Sequence, residues 1–264
     1  MYDFTYARPG VIAEAVTLLG QEDAKALAGG QTFIPVLKQR LNRPALVVDL
    51  QGLGLVGIAV TPQAVVIKGM TPHGVVAGSA AVKQAIPGLV MLASQIGDTA
   101  VRHRGTLGGS LANNDPAACY PAAVLGLGAS ITTDRRTLAA EDYFQGMFTT
   151  ALEPAEIITE VSFPIPEKSA YAKFSNPASR YPIVGVFVAK TKAGPVRVAV
   201  TGAGQGGVFR HTAFEQALSQ NFTPEAIAGI TTPADDLNAD IHASAEYRAH
   251  LIGVMARRAV AAAV

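Results

Sequence analysis

Two pairs of adjacent glycines constrain this 264-residue chain more than any other feature. They lie in Leu27-Ala28-Gly29-Gly30-Gln31-Thr32 and in Gly105-Thr106-Leu107-Gly108-Gly109-Ser110. Glycine adopts positive φ without penalty and lets a second backbone or a ligand come close, so each pair reads as a tight bend. The first closes a short apolar run, residues 24–28. It precedes FIPVLKQRL, a helix pattern with Pro35 in its first turn and Gln31 or Thr32 as its cap. A bend leading into a helix start aims several N–H groups at one place and makes an anion site that needs no lysine. Two such bends facing each other can hold a diphosphate from both sides. Either pair alone reads equally well as an ordinary tight turn.

The surrounding pattern is mixed. Residues 10–20 (GVIAEAVTLLG) read as a short helix with Ile12, Val16 and Leu19 on one face, and residues 45–50 (ALVVDL) as a strand. The first fifty residues therefore run α–β–α–β, the rhythm of a small parallel sheet with crossover helices. Residues 56–60 and 64–68 then form a hairpin around Thr61-Pro62-Gln63. Residues 72–86, 87–96 and 121–127 read as helices, and 130–133 with 137–139 as a second hairpin around Asp134-Arg135-Arg136. Residues 157–163 make a further strand. Pro164, Pro166, Glu167 and Lys168 make the best linker in the chain. After it, residues 171–175, 183–190 and 196–201 suit a three-stranded antiparallel meander. Residues 208–219 and 224–230 read as helices. Residues 244–263 read as a long amphipathic helix with Tyr247, Leu251, Val254, Met255 and Val260 on one face. The expectation is an α+β protein in two lobes.

Several function classes are excluded. The net charge of +1 supplies no field to hold nucleic acid by its phosphates. A 49% apolar and 16% charged composition is ample for a core and wrong for a disordered chain. The single cysteine, Cys119, rules out an internal disulfide and an all-cysteine zinc or iron–sulfur site, and it reads as a small buried hydrophobe rather than a nucleophile. His73, His103, His211, His242 and His250 are scattered, with no metal-ligand spacing. No G-x-S-x-G, H-E-x-x-H or P-loop lysine motif occurs. The charge-free windows 50–67 and 116–133 touch the length of a membrane span, but Gly and Pro interrupt both. The amino-terminal residues carry no signal pattern, so a cytoplasmic location without a transmembrane segment is expected.

A third glycine cluster, Gly202-Ala203-Gly204-Gln205-Gly206-Gly207, matches G-x-G-x-x-G after a strand. No strand ending in an acidic residue follows at the required distance, so it reads as a strand-to-helix turn and not as a dinucleotide fingerprint. Arg102-His103-Arg104 reads either as a cationic loop serving a phosphate or as a solvated loop. Arg257-Arg258 complements a helix terminus, and Asp49 and Asp115 are turn residues.

In their flanks the two bends are distinctive. AGGQTFIPVLKQRLNRPALVVDL followed by IGDTAVRHRGTLGGSLANNDPAACYPA resembles the FAD-binding medium subunit of the molybdenum hydroxylases, of the carbon monoxide, xanthine and nicotine dehydrogenase types. The similarity runs almost end to end. LEPAEIITEVSFP is similar to the last strand of that family's flavin domain, and SAEYRAHLIGVMARRAVAAA to its terminal helix. The resemblance implies an α+β fold with a vanillyl-alcohol-oxidase-type (PCMH-type) FAD-binding domain, residues 1–166. Its two α/β subdomains, about 1–54 and 55–166, hold the flavin between them. A C-terminal domain, residues 167–264, follows with a three-stranded antiparallel sheet and helices. It also implies FAD contacts at Ala28, Gly29, Gly30, Gln31, Thr32 and Phe33, and at Thr106, Leu107, Gly108, Gly109 and Ser110. This chain then holds no metal and no catalytic side chain.

The chain departs from the family where D-P-A-A-D-L-P is common. Here Asp115-Pro116-Ala117-Ala118-Cys119-Tyr120-Pro121 places Cys119 at a flavin-contacting aspartate. A thiol cannot accept the strong hydrogen bonds of a carboxylate, and Asp115 is the substitute. SRYPIVGVFVA is similar to the segment near the isoalloxazine ring and implies Tyr181 and Lys173 as ring-side residues, although the usual acidic residue after the arginine is missing. The implied role is an electron-transfer flavoprotein subunit. Its implied partners are a large molybdopterin-binding subunit and a small [2Fe-2S] subunit, in a dimer of heterotrimers with an external electron acceptor. Two other readings stay open: a self-contained flavin-dependent reductase, similar in fold to UDP-N-acetylenolpyruvoylglucosamine reductase, and a cofactor-free assembly module.

Overall fold

A computed structural model describes all residues, Met1–Val264. The first unit comprises β1 (Thr5–Ala7), α1 (Ile12–Leu19), β2 (Ala24–Leu27), α2 (Phe33–Lys38) and β3 (Leu46–Asp49). The β-branched run of β3 occupies the centre of a parallel sheet ordered β1-β3-β2, and all four of its residues are buried, as a central parallel strand requires. The expected α–β–α–β order is present, preceded by the short edge strand β1. Ala15, Leu46, Val48, Leu50 and Leu55 form its core, joined by Met70 and Ile157 from the next unit.

The second unit carries β4 (Ile58–Val60), β5 (Ala64–Lys68), α3 (His73–Ala77), α4 (Ala80–Ala85), α5 (Pro87–Ser94), α6 (Thr99–Arg104), α7 (Leu107–Asn113) and α8 (Tyr120–Leu127). It ends with β6 (Ser130–Thr133), β7 (Thr137–Ala139), α9 (Ala140–Tyr143), β8 (Phe144–Gly146), β9 (Thr149–Thr150) and β10 (Ile158–Pro164). Five strands pair antiparallel in the order β4-β5-β10-β6-β7. The single helix expected over 72–86 is two helices. Gly78 closes α3, and Ser79 caps α4 by accepting from the Val82 N–H at 3.3 Å.

The third unit contains β11 (Lys168–Ser175), β12 (Pro182–Lys190), β13 (Val196–Gly204), β14 (Gly207–Arg210), α10 (Thr212–Gln220) and α11 (Ala245–Ala262). Its antiparallel sheet has four strands, β11-β12-β13-β14, and not the three expected. The G-x-G-x-x-G stretch is the reason. Gly204 pairs with Gly207 across a hairpin, so the stretch turns strand into strand rather than strand into helix. Residues 208–210 therefore belong to β14, and α10 begins only after His211, whose Nδ1 accepts from the Phe214 N–H at 3.3 Å. The helix expected over 224–230 is a single 3-10 turn, Pro224–Ile227.

The β12 run IVGVFVA is buried on both faces. Phe187 and Ala189 pack with Tyr171 and α8, whose eight residues are all buried, while Val184, Val186 and Val188 pack beneath α10 and α11. The central core thus crosses residue 166. The stretch between the last strand of the second unit and the third sheet is fixed rather than loose. Ile165 donates its N–H to Gln63 O, and Glu167 to Lys190 O. The buried face of α11 is also shifted from expectation. Leu251, Met255 and Val260 are inside as read, but Tyr247 is exposed and Arg248 is buried. The Arg248 guanidinium donates to Ile183 O and Gly202 O and pairs with Asp240 at 2.6 Å, so its stem can occupy the core. No helix is long and apolar enough to cross a membrane.

Candidate cofactor site

The two glycine bends meet. A Cβ on Gly29 would fall inside the radius of the Arg104 carbonyl oxygen and 2.8 Å from Gly105 Cα. A Cβ on Gly109 would lie 3.3 Å from the Ala28 Cβ, and one on Gly108 would lie 2.8 Å from Gly69 O. Absence of side chains therefore lets backbone from the first unit press on backbone of the second, which fixes where the bends sit relative to each other. Gly30 adds a positive φ of 77° that turns the chain from β2 toward α2. A cleft of about 990 Å³ opens along this seam, at the upper end of the roughly 300–1,000 Å³ usual for small-molecule sites.

Ala28, Gly29, Gly30, Gln31, Thr32 and Phe33 line one wall of the cleft; Thr106, Gly108, Gly109 and Ser110 line the other. Asp115, Lys173 and Tyr181 line it as well. Leu107 does not. Its side chain is fully buried in the core and its N–H donates to Thr71 O, so neither faces the cleft. Arg102-His103-Arg104 is also absent from the wall. It is the last turn of α6 rather than a loop, and Arg102 donates to Ile96 O and Gly97 O.

The two bends differ in what they offer. No backbone N–H from Ala28 through Phe33 meets an acceptor within the chain. Gly29 is buried, Gln31 and Thr32 are exposed and the others half-buried, and the run leads into the first turn of α2, where helix amides have no partner inside the helix and stand open to a ligand or water. In the second bend most donors are already used. Leu107 donates to Thr71 O at 3.1 Å, Gly108 to Gly69 O at 2.7 Å, Gly109 to Thr106 Oγ1 at 3.1 Å and Ser110 to Thr106 O at 3.0 Å. The amides left without a partner in the chain therefore lie mostly in the first bend. The first bend supplies amides; the second supplies close approach, the Thr106 N–H and the hydroxyls of Thr106 and Ser110.

At the other end of the cleft, Asp115 accepts from the Ala117 N–H at 2.8 Å through Oδ1, leaving Oδ2 free. Cys119 is buried, as expected, and burial pushes its thiol up from its ordinary value. Lys173 Nζ donates to Gln95 O at 2.5 Å and Arg180 O at 2.9 Å, and lies 3.6 Å from Cys119 Sγ. Its protons are thus committed to pinning the 176–182 segment against the end of α5. Burial, then Asp115 and Cys119, push the half-exposed Tyr181 phenol up. Sequence reasoning missed His73, which lines the cleft behind Gly105. Its position was hidden because the isolated bridge between Pro72 and Thr106 joins segments more than thirty residues apart.

Known proteins share this sequence pattern and fold. The family model for the FAD binding domain in molybdopterin dehydrogenase matches residues 2–166. The carbon monoxide dehydrogenase medium chain of Afipia carboxidovorans is 36% identical, over 97% of this chain and 95% of its own length. The nicotine 6-hydroxylase medium subunit of Paenarthrobacter nicotinovorans is 36% identical over the same shares. Among solved structures, reconstituted CO dehydrogenase from Oligotropha carboxidovorans superposes with a TM-score of 0.87 at 33% identity, covering 98% of this chain and 97% of that one. Quinoline 2-oxidoreductase from Pseudomonas putida 86 gives 0.87 at 26% identity, covering 98% and 96%.

Proposed function

The chain belongs to the family of FAD-binding domains in molybdopterin dehydrogenase, and from that premise we propose that it is the FAD-carrying medium subunit of a heteromeric molybdenum hydroxylase. In this reading it receives electrons from the iron–sulfur clusters of a small partner subunit and delivers them to an external acceptor. A large molybdopterin-binding subunit performs the hydroxylation. The assembly is a dimer of heterotrimers in the cytoplasm. Residues 1–166 form the FAD-binding domain, of the vanillyl-alcohol-oxidase type, and 167–264 the C-terminal domain.

One observation carries the proposal: six consecutive unpaired amides, Ala28 through Phe33, in the wall of a cleft large enough for a dinucleotide. Amides aimed at a diphosphate form charge-assisted hydrogen bonds of roughly 1.5–3 kcal/mol each. Thr106 and Ser110 would close the opposite side, with Asp115, Cys119 and Tyr181 toward the ring end. Bound FAD supplies one- and two-electron redox chemistry, while the protein supplies position and exclusion of side reactions. A self-contained reductase needs a proton donor or acceptor beside the ring. Burial pushes the Cys119 thiol and the Tyr181 phenol up, away from the near-neutral range in which a side chain gives and regains a proton readily, and Lys173 is engaged, which favours the electron-transfer reading.

The test is cofactor content. The chain purified alone, or co-expressed with large and small partners, is expected to release one FAD per chain on denaturation. Replacing Gly30 or Gly109 by valine is expected to abolish that occupancy. Chain that carries no flavin in either preparation refutes the reading.

A further inference from the structure

We propose that His73 is a further FAD-binding residue, donating a hydrogen bond from Nε2 to an oxygen of the cofactor's diphosphate. The proposal rests on the FAD reading above. His73 is 95% buried at the start of α3, and its N–H donates to Gly105 O at 2.9 Å. Its ring stands directly behind the second bend, where a Cβ on Gly105 would come within 2.6 Å of Nε2. Gly105 in turn abuts Gly29, so the imidazole lies at the junction of the two bends, in the wall of the cleft.

Neither ring nitrogen has a partner. Nδ1 is shut off from solvent with no hydrogen bond, and no hydrogen bond within the chain reaches Nε2. A buried imidazole left wholly unpaired is costly in a folded chain, and such a group calls for an explanation by a ligand or a role. With Nδ1 closed in, Nε2 is the nitrogen left on the cleft side. The surroundings keep the ring neutral. Arg102 on α6 is the charge that acts on it, α5 packs against α3 without a titratable side chain, and the Tyr120 ring from α8 lies 5.2 Å away. Burial and Arg102 together hold its pKa down to about 4, so one nitrogen carries a proton and the other does not. The arrangement that strands least places the proton on Nε2, facing the anion that the Ala28–Phe33 amides are built to receive.

A binding role and a structural role give opposite signs. Replacing an unpaired buried polar group by an apolar one removes a penalty in the empty protein. His73→Leu is therefore expected to melt at the same temperature as the wild-type apoprotein or higher, yet to bind FAD 10- to 100-fold more weakly by fluorescence titration. His73→Gln keeps an N–H near the Nε2 position and is expected to bind within about threefold of wild type. In the wild type the Nε2 proton is expected to shift and become protected on FAD addition, as read by nitrogen-15 histidine spectra. His73→Leu binding FAD normally overturns the proposal. So does a drop in apoprotein melting together with lost affinity, which marks a structural role, or equal loss in the Gln and Leu variants. Wild-type apoprotein that binds no FAD at all overturns the functional reading itself.

Discussion

Gly29→Ala tests the seam between the bends most sharply. The added Cβ would lie 2.8 Å from Gly105 Cα and closer still to the Arg104 carbonyl oxygen, whereas ordinary contact begins at 3.4 Å. Both neighbours are backbone, so no side-chain rotation relieves the clash. The first and second units must part by more than the roughly 0.6 Å that the Gly105 contact alone would require, because the Arg104 oxygen lies nearer. Overpacking of that kind typically costs about 1–3 kcal/mol. A Gly-to-Ala change in tolerant surroundings instead stabilises by roughly 0.4–1 kcal/mol through the unfolded chain. The same displacement moves the Ala28–Phe33 amides relative to Thr106 and Ser110. Losing even one or two charge-assisted hydrogen bonds would weaken FAD binding by roughly 10- to 10⁴-fold. Gly206→Ala is the control, since nothing lies within 4 Å of its would-be Cβ. Apoprotein melting and fluorescence titration with FAD are the assays. Gly29→Ala is expected to lose on both, and Gly206→Ala on neither. Equal melting and equal FAD affinity in the two variants would refute the reasoning.

Other expectations follow from the same contacts. Lys173→Met frees Gln95 O and Arg180 O and should lower stability by about 1–3 kcal/mol in urea unfolding, with faster proteolysis of the 176–182 segment. Glu156 accepts from Arg136 at 3.0 and 2.9 Å, Thr133 Oγ1 at 2.7 Å and the Glu153 N–H at 2.7 Å, so Glu156→Gln should cost about 2–4 kcal/mol by the same measurement. Burial holds the His73 and His211 pKa values below that of an unfolded histidine, while Arg136 holds the Glu156 carboxyl down at about 2. The unfolded chain therefore takes up protons first in both cases. Apoprotein melting should be flat above about pH 7, fall from pH 6.5 toward 4 with the histidines, and fall further below 4.5 with Glu156. His73→Leu should remove part of the first drop; a melting profile level between pH 7 and 4 would contradict the assignment.

Much of the architecture was legible because it is local. Residues 45–50 announce a buried parallel strand by β-branching alone, and the bend at Gly29-Gly30 shows itself by standing between an apolar run and a helix pattern. What stayed hidden depends on partners far along the chain. The second bend looks like an amide cradle until Thr71 and Gly69, nearly forty residues earlier, are found to accept its N–H groups. His73 is one scattered histidine until the Pro72–Thr106 bridge carries it behind Gly105. The short strand Gly207–Arg210 escapes notice because a glycine run followed by a helical stretch masks its pairing with β13. Arg248 breaks the hydrophobic period of α11, and its burial depends on carbonyls of Ile183 and Gly202 that no helical pattern reveals.

The central claim is that the amides of Ala28 through Phe33 are unpaired in the protein alone and are engaged by the cofactor. Amide hydrogen exchange with and without FAD measures this directly. The 28–33 segment should exchange rapidly in the apoprotein and become protected when FAD is added, while the 107–110 amides, already bonded within the chain, should change little. Exchange at 28–33 that is already slow without FAD, or that is unaltered by saturating FAD, would contradict the account.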